Sequence, residues 1–190
     1  MNRYRLLLLF CLMTGFQVAS QAQGQGAPAA KAPMTNDVKI KSALSAAPAG
    51  IAKDAAVMAP GAAAGAPMVE LKKGTNGWTC LPDDPSTPAN DPMCMDKIAM
   101  DWAGALMGHT NPKITAMGIG YMLAGGSTAD NDDPFAKQPK AGKQWLMEPP
   151  HLMIFGTKID PAVYSNAPNT TRPWVMWKGT PYEHLMVPVK

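Results

Sequence analysis

Residues 74–109 read GTNGWTCLPDDPSTPANDPMCMDKIAMDWAGALMGH, and they hold the features that decide the fold. Cys80 and Cys94 flank a loop rich in Pro and Asp. The apolar residues that follow, Met95, Ile98, Trp102, Ala105 and Leu106, recur at the spacing of one helix face. The carboxylate of Asp96 suits the first turn of this helix, and Gly108 suits its end. The stretch therefore predicts a disulfide-closed loop that leads into an amphipathic helix.

The pair Asn76-Gly77 indicates a tight turn upstream of the first cysteine. Both residue types tolerate the positive φ angles of a type I′ turn. The pattern predicts a hairpin that joins Met68–Leu71 to Trp78–Leu81. Since strand side chains alternate, Trp78 and Cys80 would point to the same face.

The rest of the chain predicts further short elements. A helix is expected from Thr35 or Asn36 to about Ala46, and residues 51–58 fit either a helix or a strand. Strands are expected over residues 114–123, 144–147, 151–155, 174–177 and 184–189. The fold class is therefore α+β, a mostly antiparallel sheet with one or two short helices and one disulfide, in a single domain over residues 35–190.

The first residues have the pattern of an export signal. Arg3 and Arg5 precede an apolar run over residues 6–16, and Ser20-Gln21-Ala22 fits a cleavage site. We expect residues 1–22 to be removed, which predicts a periplasmic or secreted protein with no stable membrane insertion afterwards. Residues 23–34, rich in Gln, Ala, Gly and Pro, are expected to form a disordered tail.

The net charge and the cysteine content argue against two classes of protein, those that bind nucleic acid and those with a catalytic thiol pair. Without residues 1–22 the chain keeps 15 basic against 14 acidic residues, which argues against a nucleic-acid surface. Two cysteines in an exported chain most simply form one disulfide, between Cys80 and Cys94. A catalytic thiol pair is usually spaced Cys-x-x-Cys, which this chain lacks.

Two similar segments of the sequence give the clearest hypothesis about chemistry. His151-Leu152-Met153-Ile154 resembles His184-Leu185-Met186-Val187, and each predicts a strand with His and Met on one face. If the strands pair, two imidazoles and two thioethers could bind a soft metal such as copper. The alternative, which the sequence favours, is that methionine fills core gaps and the histidines bond to backbone or solvent. The 15 methionines of the chain suit either interpretation.

Two weaker patterns concern hydrolysis and stacking. Ser127 follows two glycines and could act as a nucleophile with His151 or His184 as the general base. Asp130 or Asp133 could then orient the histidine. However, the Gly-x-Ser-x-Gly motif of serine hydrolases is missing. The aromatic residues Trp174, Trp177 and Tyr182 could form a ligand-stacking platform, with core packing as the alternative. Acidic loop residues lack the order of a calcium-binding EF-hand loop.

Four segments resemble a group of uncharacterised exported bacterial proteins. They are residues 74–80, 90–94, 120–126 and 179–188. The resemblance covers most of residues 37–190, and it implies export from a bacterial cell and one domain. It implies no activity, substrate or site residue.

These patterns together predict an exported small binding domain, more plausibly non-enzymatic than catalytic, with an unknown protein or small ligand as partner. A periplasmic copper-binding protein is the first alternative. A serine hydrolase that uses Ser127 is the second.

Overall fold

The computed structural model describes residues 34–61 and 66–189. The predicted signal peptide and nearly all of the predicted tail lie outside the described residues. The helices are α1 (Asn36–Leu44), α2 (Ala49–Ala52) and α3 (Lys97–Met107). The strands are β1 (Ala56–Ala59), β2 (Val69–Lys72), β3 (Thr79–Leu81), β4 (Met93–Met95), β5 (Gly118–Met122), β6 (Gly126–Thr128), β7 (Leu146–Glu148), β8 (His151–Phe155), β9 (Trp174–Met176) and β10 (His184–Pro188).

Eight of these strands form one sheet in the order β2-β1-β3-β4-β5-β8-β10-β9, and β6 pairs with β7 in a small second sheet. The β1–β3 pair is parallel. The other pairs are antiparallel. The prediction of an α+β fold with a mostly antiparallel sheet is confirmed.

Helix α3 lies on one face of the sheet because Asp96, the residue that precedes the helix, bonds to β5. Asp96 caps the helix, with Oδ1 accepting from the Ala99 N–H at 2.8 Å. Its Oδ2 accepts from the Ile119 N–H at 2.8 Å, and its own N–H donates to the Ile119 carbonyl. A Cβ atom at Gly118 would lie 2.7 Å from the Ala99 nitrogen, so this glycine permits the close approach.

Helix α1 covers the opposite face beside the disulfide. Of the two predicted starts, Thr35 and Asn36, it is Thr35 that caps this helix by accepting from the Val38 N–H. The predicted bond between Cys80 and Cys94 is present, and the two cysteines are directly opposite in the β3–β4 pair. A core of small residues surrounds them: Ala43, Ala46, Ala47, Ala52, Ala55 and Val57.

The predicted hairpin between residues 68–71 and 78–81 is wrong. Strand β1 lies between the two segments, with β2 on one side and β3 on the other. The turn residue Gly77 does adopt a positive φ of 78°. However, the Ala56 N–H donates to the Trp78 carbonyl, and β3 pairs with β1 on one side and with β4 on the other. No edge of β3 is then left for pairing with β2.

Candidate ligand cavity

A cavity of about 550 Å³ lies between α3 and the face of the sheet on which that helix packs. Residues of the 81–91 loop, the small second sheet and the 134–137 segment complete its wall. Its most frequent lining residue is methionine, supplied by Met93, Met95, Met107, Met122, Met153, Met176 and Met186.

Strand register explains why these methionines converge. Met153 of β8 is directly opposite Met186 of β10, so the side chains share one face. Gly120 of β5 is the neighbour of both Met153 and Met95. A Cβ atom at Gly120 would lie 2.7 Å from Met153 Cε and 3.3 Å from Met95 Cγ. The missing side chain therefore leaves room for two methionines to meet across β5.

An aromatic cluster forms one end of the cavity around Trp102 of α3. Its ring stacks on Trp177 at a centroid distance of 6.0 Å and lies 4.4 Å from the ring of Phe155. The His184 ring stands edge-on to Trp102 at 5.1 Å. Trp177 Nε1 donates to the Asp130 carbonyl at 3.0 Å, whereas Trp102 Nε1 is buried and has no partner among the described residues.

His184 is held as a neutral imidazole. Its Nδ1 lies 3.0 Å from the Tyr182 carbonyl, an acceptor only, so Nδ1 carries the proton and Nε2 keeps a lone pair. Burial lowers the pKa of His184 to about 4, against the opposing effect of the Tyr182 carbonyl. Since the ring stays unprotonated near neutral pH, Nε2 can accept a hydrogen bond or bind a metal.

The structure brings together three of the four predicted metal ligands. Met153, His184 and Met186 line the cavity, but His151 does not. Because β8 and β10 are antiparallel, His151 is opposite Pro188, at the other end of the ladder from His184. His151 Nδ1 is 2.7 Å from the Pro149 carbonyl, and burial lowers the pKa of this histidine.

Two buried carboxyl groups form the polar end of the cavity. Asp91 is 6% exposed and Glu148 is 8% exposed. Burial raises the pKa of Asp91 to about 6, although hydrogen bonds from Thr87 and from the Asp84 N–H favour its charged form. Burial also raises the pKa of Glu148 to about 7, and the charge of Asp91 contributes in the same direction. Glu148 is therefore protonated in a large fraction of molecules near neutral pH, whereas Asp91 is protonated mainly below about pH 6.

The predicted stacking residues separate into two groups. Trp177 lines the cavity, and Tyr182 packs edge-on against Trp102 at 6.4 Å, donating its hydroxyl to the Thr110 carbonyl. Trp174 is fully buried beside His151, at a centroid distance of 6.5 Å. The three rings therefore do not share one exposed platform.

Ser127 also lines the cavity, yet its described hydrogen bond is to the backbone. Its Oγ accepts from the Ala89 N–H at 3.3 Å. Asp130, which would have to orient the histidine, forms an ion pair with Lys140 at 2.7 Å. The Nδ1 atoms of His151 and His184 bond to backbone carbonyls. The geometry shows no Ser-His-Asp relay among the described residues.

Sequence reasoning misses four residues that shape the cavity: Asp91, Trp102, Met176 and Glu148. The sequence pattern places Asp91 in a solvated loop and Trp102 in the core face of a helix. Met176 is opposite His184 across the β9–β10 pair, a contact that only the strand order reveals. No sequence signal marks Glu148, since a single acid in a short strand is ordinarily exposed.

Comparisons with protein-family models, with curated proteins and with solved structures gave no match. The resemblance to exported bacterial proteins stays an expectation. Over residues 34–61 and 66–189, no helix has the length and apolar character needed to cross a membrane. In the same ranges no group of three or more His, Cys, Asp or Glu side chains is arranged for a metal ion.

Proposed function

We propose that this chain is an exported, non-enzymatic domain that binds a small and mostly apolar molecule in the methionine-lined cavity. The observation that carries the proposal is the cavity itself, about 550 Å³ in volume with walls of thioether and aromatic side chains. Small-molecule sites typically have about 300–1,000 Å³, apolar walls and a few polar groups. Flexible methionines suit ligands of irregular shape.

Binding has more support than hydrolysis at the same cavity. A serine hydrolase needs a nucleophile that is hydrogen-bonded to an imidazole. Here Ser127 accepts from a backbone N–H, and Asp130 is engaged by Lys140. Export is supported by the sequence pattern of residues 1–22 and by the Cys80–Cys94 bond, which suits an oxidising compartment.

Ala103→Phe is expected to weaken the binding of a small apolar molecule at least about tenfold, because Ala103 lines the cavity and the added ring would occupy it. The probe is phenylnaphthylamine, an uncharged dye whose fluorescence rises in apolar surroundings. The matched control is Ala116→Phe, at an exposed position outside the cavity wall. Equal dye binding by both variants, with intact circular dichroism, would contradict the proposal.

A second candidate function is the binding of copper(I), favoured by one observation. Met153 is opposite Met186, and His184 is opposite Met176 on the neighbouring strand pair. This patch therefore combines three thioethers with an imidazole whose Nε2 carries a lone pair. Thioether and imidazole are ligands that suit copper(I). Relative to the sequence-based set, Met176 replaces His151.

Replacing Met153 and Met186 together by leucine is expected to abolish a stoichiometric copper(I) adduct in anaerobic native mass spectrometry. Leucine keeps most of the volume and removes both sulfur ligands. The control changes two exposed methionines to leucine, Met117 and Met147, each 57% exposed. Absence of any adduct on the wild-type protein would rule out this second candidate.

A further inference from the structure

The polar end of the cavity contains two carboxyl groups that form no ion pair over residues 34–61 and 66–189. Glu148 is on β7, and Asp91 is in the loop before β4; both line the cavity. The ion pairs of the described residues are Lys53–Asp54, Lys97–Asp101 and Lys140–Asp130, and none includes either acid. Among the residues that the structure describes, no basic side chain therefore forms an ion pair with a negative charge on Asp91 or Glu148.

The two acids approach each other across Gly126. A Cβ atom on this glycine would lie 2.9 Å from Glu148 Oε2 and 3.7 Å from Asp91 Cβ. Glu148 Oε1 is buried and has no hydrogen-bond partner among the described residues. A buried acceptor of this kind favours a ligand that donates hydrogen bonds, since a buried acceptor without a hydrogen bond has lost its bond to water and gained none in return.

We infer that the cavity takes an apolar molecule with a protonated amine, whose ammonium group lies between Asp91 and Glu148. This inference rests on the proposed function and adds the chemical class of the ligand. An ammonium supplies three donors and the missing positive charge. A carboxylate head would be repelled, and a hydroxyl would leave the charge uncompensated. The aromatic ring of Trp102 extends the apolar wall for the body of the ligand.

The other charged or titratable groups in the wall are Asp84, His109, Lys137 and His184. Asp83 lies beside Asp91, since its Oδ1 accepts from the Asp91 N–H at 2.9 Å, and its carboxyl group also raises the pKa of Asp91. Lys137 is exposed, and the low pKa of His184, about 4, keeps this ring neutral. The ammonium must displace the protons that Asp91 and Glu148 hold below pKa values of about 6 and about 7. Amine affinity should therefore fall as the pH is lowered from about pH 8 to about pH 5, while the amine itself stays charged.

The test compares hexylamine, hexanol and hexanoate by isothermal titration calorimetry on the full chain. At about pH 8 hexylamine should bind at least about tenfold more tightly than hexanol, and hexanoate should bind most weakly. In Glu148→Gln the amine-to-alcohol affinity ratio should approach one. The matched control Glu70→Gln, at an exposed position on β2, should keep the wild-type ratio.

The outcomes separate the two proposals. Hexanol binding as tightly as hexylamine would overturn the amine inference and leave the apolar cavity in place. Binding of neither compound, together with no dye binding, would overturn the proposed function and the inference with it. The wild-type pH profile tests the inference even if Glu148→Gln does not fold: amine affinity that does not change between about pH 5 and about pH 8 contradicts it.

Discussion

Replacing Cys80 and Cys94 together by alanine is expected to lower the free energy of unfolding by at least about 3 kcal/mol, the value of the bond alone. The bond joins residues with a sequence separation of 14, and its removal restores that loop's freedom to the unfolded chain. Both cysteines are fully buried against the alanine-rich core beneath α1. A small domain typically has about 5–15 kcal/mol of net stability, so the loss is a large share.

Urea denaturation of three samples separates the bond from the packing of its sulfurs. The oxidised wild type, the wild type kept reduced and the double alanine variant should unfold in that order of decreasing stability. The reduced wild type keeps both sulfur atoms in the core. The difference in free energy of unfolding between the oxidised and the reduced protein therefore measures the contribution of the bond alone. A difference below about 1 kcal/mol between the first two samples would contradict the prediction.

Local patterns in the sequence suffice to predict where α1 begins and where α3 begins and ends. Thr35, one of the two predicted starts, caps α1, and Asp96, predicted for the first turn of α3, is the cap that precedes this turn. Helix α3 ends at Gly108 as predicted. These features depend on hydrogen bonds within one turn of the chain, so neighbouring residues are enough to predict them. The strands that open with His151 and His184 are predictable for the same reason, since alternation is also local.

Strand pairing is less predictable because it depends on distant residues. Gly77 has the positive φ that a type I′ turn requires, but Asn76 is not among the described residues with a positive φ, so the predicted type I′ turn is wrong. The strand beside β3 is β1, more than fifteen residues upstream of Asn76. Strand β4 has no signal of its own in the sequence. Its three residues lie between Pro92 and Asp96, and they become a strand because Cys94 is joined to Cys80 of β3.

The candidate cavity can be predicted only in part. Alternation places Met153 and Met186 on one face, and the structure puts them opposite each other. The direction of the pairing is not contained in either strand, and it decides that His184 lines the cavity and His151 does not. Glu148 is harder to predict, because it is on β7, which pairs with β6, and β6 in turn contacts the 81–91 loop through the hydrogen bond from the Ala89 N–H to Ser127 Oγ.

Glu148→Gln is expected to gain stability relative to the wild type as the pH rises, by about 3 kcal/mol between about pH 4 and about pH 8. The folded protein raises the pKa of Glu148 from 4.5 to about 7. The folded state therefore binds the proton more tightly than the unfolded chain does. The contribution of Glu148 is fully present below its unfolded pKa and is lost as the pH rises through about 7, whereas glutamine does not titrate.

Measuring the difference between variant and wild type removes the other titrations. Burial lowers the pKa of His184 from 6.5 to about 4, which gives the opposite trend: its contribution is lost as the pH falls from 6.5 towards 4. This trend is common to both proteins and cancels in the difference. The raised pKa of Asp91 acts in the same direction as that of Glu148. Because the charge of Asp91 contributes to the raised pKa of Glu148, the difference between variant and wild type also contains this interaction between the two acids.

The measurement is urea denaturation at several pH values, with Glu70→Gln as the control, because its exposed side chain on β2 should leave the profile unchanged. A difference that stays flat between about pH 4 and about pH 8 would contradict the prediction. It would mean that Glu148 ionises as readily in the fold as in the unfolded chain. In that case the polar end of the cavity would be well solvated, and an ammonium ion would gain little by entering it. The stability profile thus tests, without any ligand, the electrostatic condition on which amine recognition depends.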